Sequence, residues 1–463
     1  MRRVWVWAVF GVWLLALGAP VFGASAFSAA RLLQPEDLRY LGAFRLPEGG
    51  ERPYTFAYGG GAMTFVPTGD PQGAGDGFAG SLFVTGHDRL PYGEMPDGSR
   101  VAEVGIPAPV IAASVEALPR ATLLQDFHEV SGDLFAGLDE MPRIGMAYLD
   151  APATGPKVHL SWSTHLVEAP HPTQAWFEPD LSVPNPQGPW FVGDLVPYSV
   201  SGYLFTMPQD WADAHTEGRP LVTGHFRDGG WGGMGPSLIA YRPWNDDGSP
   251  PPAGARLEPT VLLLYASSEE GEDFSRALRG YQHPDEWEGG AWLTAPDGAS
   301  AVVLVGTKAT GAKYWYGYPN PAGAELPCVE VEMVGAFTLC RRADGTPCPP
   351  EDLGGCEGHS DYRGWWSTNY AAQFIFYDPD ELAQVAAGTL PPWAPQPYAA
   401  LDVDAHLFLT PDVEPEMIGA GAQRHYRLGA AAYDRAGGRL YVLELFADGA
   451  QPVVHVWQVG AGR

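Results

Sequence analysis

Lysine is nearly missing from this chain: among its basic residues only Lys157, Lys308 and Lys313 are lysine, and the rest are arginine. So strong a bias reflects coding preference, yet it draws attention to Lys308 and Lys313, five apart in one loop. Positive charge is scarce altogether, with 27 basic residues against 55 acidic ones and a net charge of −28. Such a surface repels phosphate backbones and anionic lipid, which argues against nucleic-acid and membrane partners. Acidity also keeps extracellular proteins soluble. Cysteine is equally restricted, and Cys328, Cys340, Cys348 and Cys356 share one short stretch. An even, clustered set in an exported chain implies two disulfides with three possible connectivities. A zinc site from Cys348, Cys356 and His359 is the rival reading, but its spacing matches no common zinc module.

Long apolar runs are also missing, except at the start. Met1-Arg2-Arg3, an apolar run from Val4 to Ala19 and the small residues Ala24-Ser25-Ala26 have the three regions of a secretory signal peptide. Cleavage after Ala26 is expected, which leaves 27–463 as an exported chain and takes the charge from −28 to −30. A membrane anchor is the alternative, but the run is shorter than the roughly 20 residues that span a bilayer. No Gly-x-Ser-x-Gly elbow or phosphate-cradling loop occurs. Gly229 to Gly235 is glycine-rich but opens a strand rather than a helix, so close backbone packing explains it better. Asp402-Val-Asp404 and Asn245-Asp-Asp-Gly248 are oxygen-rich without the full spacing of a calcium loop, which leaves a structural calcium as the one cofactor they invite.

With 58 Gly and 45 Pro, long helices have little room, and only Asp210 to His215 and Asp380 to Ala387 read as helical. What recurs is a glycine, a short apolar strand, a turn and a second β-rich strand. The copies are Gly61 to Val66 with Ser81 to Gly86, Gly145 to Leu149 with Val158 to Trp162, Gly235 to Tyr241 with Thr260 to Tyr265, Gly290 to Thr294 with Ala301 to Gly306, and Gly429 to Tyr433 with Arg439 to Glu444. Third and fourth strands follow in three places, from Val101, Gly202 and Gln373. The last sheet has three strands ending in Val453 to Val459, and an orphan strand runs from Leu38 to Leu46. Pairing the orphan with the last sheet closes a ring and removes two exposed edges.

These glycine-led pairs and the turns Asp434 to Gly438 and Ala295 to Gly298 resemble a β-propeller. The expected fold is all-β, a single five-bladed propeller whose N-terminal strand closes the last blade. A disulfide-stapled insert at about 318–366 is expected within the fourth blade. Six blades is the structural alternative, because Asp228 to Ser267 is short for a full blade, and a double-sheet sandwich is the next. The chain is also similar to bacterial secreted proteins of uncharacterised function with a Trp-Glu-Gly-Gly-Ala-Trp-Leu stretch, here Trp287 to Leu293, and a closing His-Val-Trp strand, here His455 to Trp457. That likeness implies no activity.

In a propeller the loops entering each inner strand, and those joining second and third strands, open on one face around the channel. The resemblance therefore gathers His87, Asp88, Asp228, Glu288 and His425 as candidate catalytic groups, and Tyr58, Arg143, Lys308, Trp315 and Arg424 as candidate ligand contacts. Acidic, basic and aromatic types together suit general acid and base work on a polar or sugar-like ligand. His87 beside Asp88 is a candidate proton shuttle, although neighbours on a strand point apart and a plain turn explains them as well. His165 and His171 are a candidate metal pair, while His159 alternates with Leu160 and Trp162 as a strand residue does. Asp228 and Glu288 head different blades and are the pair a glycosidase would need. Sixteen tryptophans serve either as sugar platforms or as packing between blades. The expected function is binding of a small polar ligand or glycan at the channel mouth by a monomeric exported protein, with hydrolysis or elimination as the chemistry. The alternative is a non-catalytic extracellular binding or adhesion module.

Overall fold

In a computed structural model, which describes residues 31–70, 73–87, 99–136, 138, 144–162, 167–225, 227, 232–267, 273–311, 313–314, 333–334, 337–338, 366–367, 369–408 and 427–460, the chain forms a five-bladed β-propeller. Strand β1 (Leu38–Arg45) is set aside for the end of the ring. Blade one is β2 (Met63–Val66), β3 (Ser81–Thr85), β4 (Arg100–Gly105) and β5 (Leu123–Glu129). Blade two is β6 (Ile144–Ala151), β7 (Gly155–Trp162), β8 (Gln174–Phe177) and β9 (Gln187–Val192). Blade three begins with the short helix α1 (Pro197–Val200), followed by β10 (Tyr203–Thr206), helix α2 (Gln209–His215), β11 (Leu221–Gly224) and β12 (Leu238–Tyr241). The chain then lends β13 (Arg256–Leu257) in parallel to the edge of blade two before β14 (Thr260–Leu263) completes blade three. Blade four opens with β15 (Glu286–Thr294) and β16 (Ser300–Ala309). Its insert contains two short ladders, β17 (Lys313–Tyr314) with β20 (Trp366–Ser367) and β18 (Met333–Val334) with β19 (Phe337–Thr338). Then come β21 (Tyr370–Tyr377), helix α3 (Pro379–Ala386) and β22 (Ala399–Asp402). Blade five is β23 (Arg427–Asp434), β24 (Arg439–Asp448) and β25 (Gln451–Val459), and β1 pairs with β25 as its fourth strand.

Closure by the strand near Leu38 is as the sequence leads one to expect. Blades two and three differ, because the outer strands of blade two are β8 and β9, which no run named from the sequence covers. Gly235 to Tyr241 and Thr260 to Tyr265 are the outer half of blade three, and its inner strand is β10, which the sequence pattern had assigned to the outer half of blade two. Proline turns and a short helix flank inner and outer strands alike, so local chemistry does not separate them. This difference also explains why Asp228 to Ser267 is too short for a blade: it supplies half of one.

The apolar strands are continuous rather than alternating because both faces of each blade are buried. Along β16, Val302 and Leu304 face the core shared with blade three, while Val303 and Val305 face the core shared with blade five. Ile375 and Tyr377 against Phe374 and Phe376 repeat the division on β21. Five such cores, one at each blade junction, hold the ring. Buried tryptophans fill them, including Trp162, Trp190, Trp287 and Trp457. Packing between blades is thus what most described tryptophans do. At the axis the inner strands touch backbone to backbone. A side chain on Gly289 would meet the amide nitrogen of Ala431 at 2.5 Å, and one on Gly145 would meet the Tyr203 carbonyl carbon at 2.7 Å. That contact is why glycine heads these strands.

Candidate functional site at the channel mouth

All five inner strands run from one end of the ring, the mouth, to the other, where the inner hairpins turn. Between them lies a cavity of only about 50 Å³ lined by residues of every inner strand, Thr64, Tyr148, Thr206, Gly290 and Ala431 among them. It has room for a few waters, so a ligand must sit at an end of the axis rather than in it.

At the mouth of blade four, the loop before β15 is shaped around Asp285. Its carboxylate accepts from the amides of Gln282 at 3.1 Å and Ala309 at 2.9 Å, and from Lys308 Nζ at 3.0 Å. Burial pushes the Asp285 carboxyl up to about 6, against Lys308 and the two amides, which pull it down. Lys308 also donates to the carbonyls of Gly280 and Ala309, both at 2.7 Å. These three partners use all three ammonium donors. Lys308 therefore ties this loop to the end of β16.

The next residue, Glu286, spans three blades. Its Oε2 accepts from Arg427 Nη2 of blade five at 2.8 Å, and its Oε1 accepts from Arg227 Nη1 of blade three at 3.4 Å. Arg427 is almost wholly buried, so this is a desolvated pair rather than a surface one. Glu288 follows at an irregularity in the β15–β16 register between Trp287 and Gly289 and is also buried. Bulges of this kind re-aim side chains and recur beside binding sites.

Histidines complete the rim. His87 is buried after β3, and its ring centre lies 5.5 Å from that of Tyr58. Tyr58 and Phe446, 6.2 Å apart, have φ of 59° and 60°, a backbone region that bulky side chains seldom enter. His225 follows β11, with Nδ1 at 2.9 Å from Ser237 Oγ. Ser237 Oγ donates its proton to the Ser199 carbonyl at 2.6 Å, so His225 Nδ1 must carry the proton between them. His283, buried before β15, pairs its Nδ1 with Tyr281 Oη at 3.1 Å. Nearby acids are engaged elsewhere: Glu444 holds His455 Nε2 at 2.9 Å inside blade five, where Tyr40 Oη meets Nδ1 at 2.9 Å. Asp448 holds Arg45 at 2.7 Å.

Of the residues singled out from sequence, Tyr58, His87, Glu288 and Lys308 stand at this mouth. Asp88, Arg143, Asp228, Trp315, Arg424 and His425 lie outside the described residues, as do the four cysteines, His165 and residues 1–26. His159, read as a strand residue, is sealed near Trp176 and Trp244, while His171 borders an outer cavity with Ser131 and Asp133. Asp402 and Asp404 accept backbone amides, and among the described residues no group of three His, Cys, Asp or Glu could hold a metal ion. No described helix is long and apolar enough to cross a membrane.

Arg227, His225 and His283 are additions that sequence reasoning missed. A signal was present: Val84-Thr-Gly-His87 and Val222-Thr-Gly-His225 are the same four letters at the ends of β3 and β11. Assigning Thr223 to an outer strand hid the correspondence. Together the fold and this ring of buried ionisable groups define a five-bladed β-propeller with a polar channel mouth. Comparison with protein-family models and with curated proteins gave no match to this chain.

Proposed function

We propose that this is an exported β-propeller that binds a polar ligand of the saccharide class at its channel mouth, with Glu288 and the Glu286–Arg427 pair among the contacting groups. The observation that carries the reading is the convergence of desolvated ionisable residues, His87, His225, Asp285, Glu288 and Arg427, at one end of the ring. Burying charge is costly, and such groups concentrate where chemistry or recognition uses them. Two bulky residues in the left-handed backbone region at the same rim, Tyr58 and Phe446, support it, because strain of this kind collects at functional sites. The carboxylates also supply the acid and base types that glycoside hydrolysis or elimination requires.

A glycan array probed with the purified protein tests the ligand class. Neutral saccharides should be retained, and Glu288→Gln should lose at least tenfold in apparent affinity while keeping the parent melting temperature. A flat array overturns the saccharide reading. Release of reducing ends from the retained glycans separates hydrolysis from binding alone.

A further inference from the structure

At the end opposite the mouth, the turns of blades three, four and five enclose a groove of about 610 Å³, within the range of small-molecule sites. It is independent of the channel mouth. Trp211 comes from α2, Trp292 from β15, Arg435 from the β23–β24 turn and Gln458 from the end of β25. The Trp211 and Trp292 ring centres are 4.6 Å apart and tilted by 56°. Trp292 is buried, and it props Trp211, which keeps exposed ring surface on the groove.

Arg435 is the unusual member. Its exposed guanidinium makes one hydrogen bond, Nη2 to the Thr206 carbonyl at 3.2 Å, and lies 5.7 Å from the centre of the Tyr433 ring. It forms no hydrogen-bonded ion pair with any described residue, in a chain where 55 acids face 27 bases, although partial burial lowers its pKa and the charge of Asp210 acts on it across the groove. Asp210 borders the same groove, but its Oδ1 accepts the Trp211 amide at 2.9 Å. Gln458 Nε2 is taken by the carbonyls of Gly437 and Gly438, both at 2.9 Å, which leaves its amide oxygen to accept. An unpaired guanidinium fork, an indole wall and two acceptors suit a ring that carries both a carboxylate and hydroxyls.

We propose that this groove binds a uronic acid residue. The carboxylate takes the free N–H groups of Arg435, the pyranose lies on Trp211, and ring hydroxyls donate to Asp210 and Gln458. Calorimetric titration of the full chain with D-glucuronate and digalacturonate, against glucose and cellobiose, tests this. The uronates should bind saturably and at least tenfold more tightly than their neutral counterparts, and the preference should shrink as salt is raised from low to 0.5 M. Arg435→Gln and Trp211→Ala should each weaken uronate binding at least tenfold, whereas Glu288→Gln at the other face should leave it unchanged. Absent uronate binding, equal affinity for neutral sugars when the mouth is disabled by Glu288→Gln, or undiminished binding in a folded Arg435→Gln overturns the proposal. The salt dependence of the parent protein decides the matter should either variant fail to fold.

Discussion

His159 is fully buried on β7, with Trp176 and Trp244 rings 5.7 and 5.9 Å from its own and neither nitrogen hydrogen-bonded. Burial, reinforced by Lys157, lowers its pKa from the ordinary 6.5 to about 3. Between those values the unfolded chain takes up a proton that the folded chain refuses, so stability falls as pH drops. At pH 5 the cost is about 2 kcal/mol. Asp285 acts in the opposite sense: its raised pKa makes a contribution that is present at acid pH and is lost as pH rises through about 6. The two windows overlap, so the parent profile is flattened. His159→Leu should therefore be more stable than the parent at pH 5 by about 2 kcal/mol relative to their difference at pH 7.5, read from urea unfolding at both pH values. A difference that does not change with pH would refute the assignment. The sequence pattern showed His159 as a strand residue; that both its nitrogens are sealed between two blades depends on partners in β8 and in the loop after β12.

The glycines heading the inner strands were visible as a repeat, and their cause is the meeting of neighbouring inner strands at the axis. Gly289→Ala, which puts a methyl 2.5 Å from the Ala431 amide nitrogen, should cost about 2–3 kcal/mol in thermal or denaturant unfolding. Gly75→Ala, with open space around it, is the control and should stay within about 0.5 kcal/mol. Equal effects at the two positions would show that contact at the axis is not what selects glycine. Strand existence was legible for most blade strands, because apolar β-branched runs bounded by Gly and Pro leave few alternatives. Position within a blade was not. In blade three the inner pair, β10 and β11, is separated by a helix as outer pairs are elsewhere, so nothing local marks it as inner.

The ring is closed by β1, whose residues from Leu38 to Arg45 pair with Val459 to Val453. Hydrogen bonds within blade five thus join strands from opposite ends of the sequence. Without β1, the β25 edge is left open and the core between blades five and one loses Phe44 and Leu46. Deleting 31–46 should lower the melting temperature by more than about 8 °C and give larger species on size-exclusion chromatography with light scattering. A synthetic 31–46 peptide should restore both readings. A deletion variant with the parent melting temperature and size would show that β1 is dispensable.

The amino-acid sequence alone showed most of the blade strands, the five-fold recurrence of glycine-led strand pairs and the pairing that closes the ring. These follow from local alternation, turn residues and the need to cover two sheet edges. Tertiary structure decided which strands face the axis and which polar residues are desolvated together. Glu286, Arg227 and Arg427 are far apart in sequence, and only the angular placement of three blades brings one carboxylate between two guanidinium groups. The same holds for the groove at Arg435. That Arg435 forms no hydrogen-bonded ion pair among the described residues, in so acidic a chain, depends on where three separate turns come to rest.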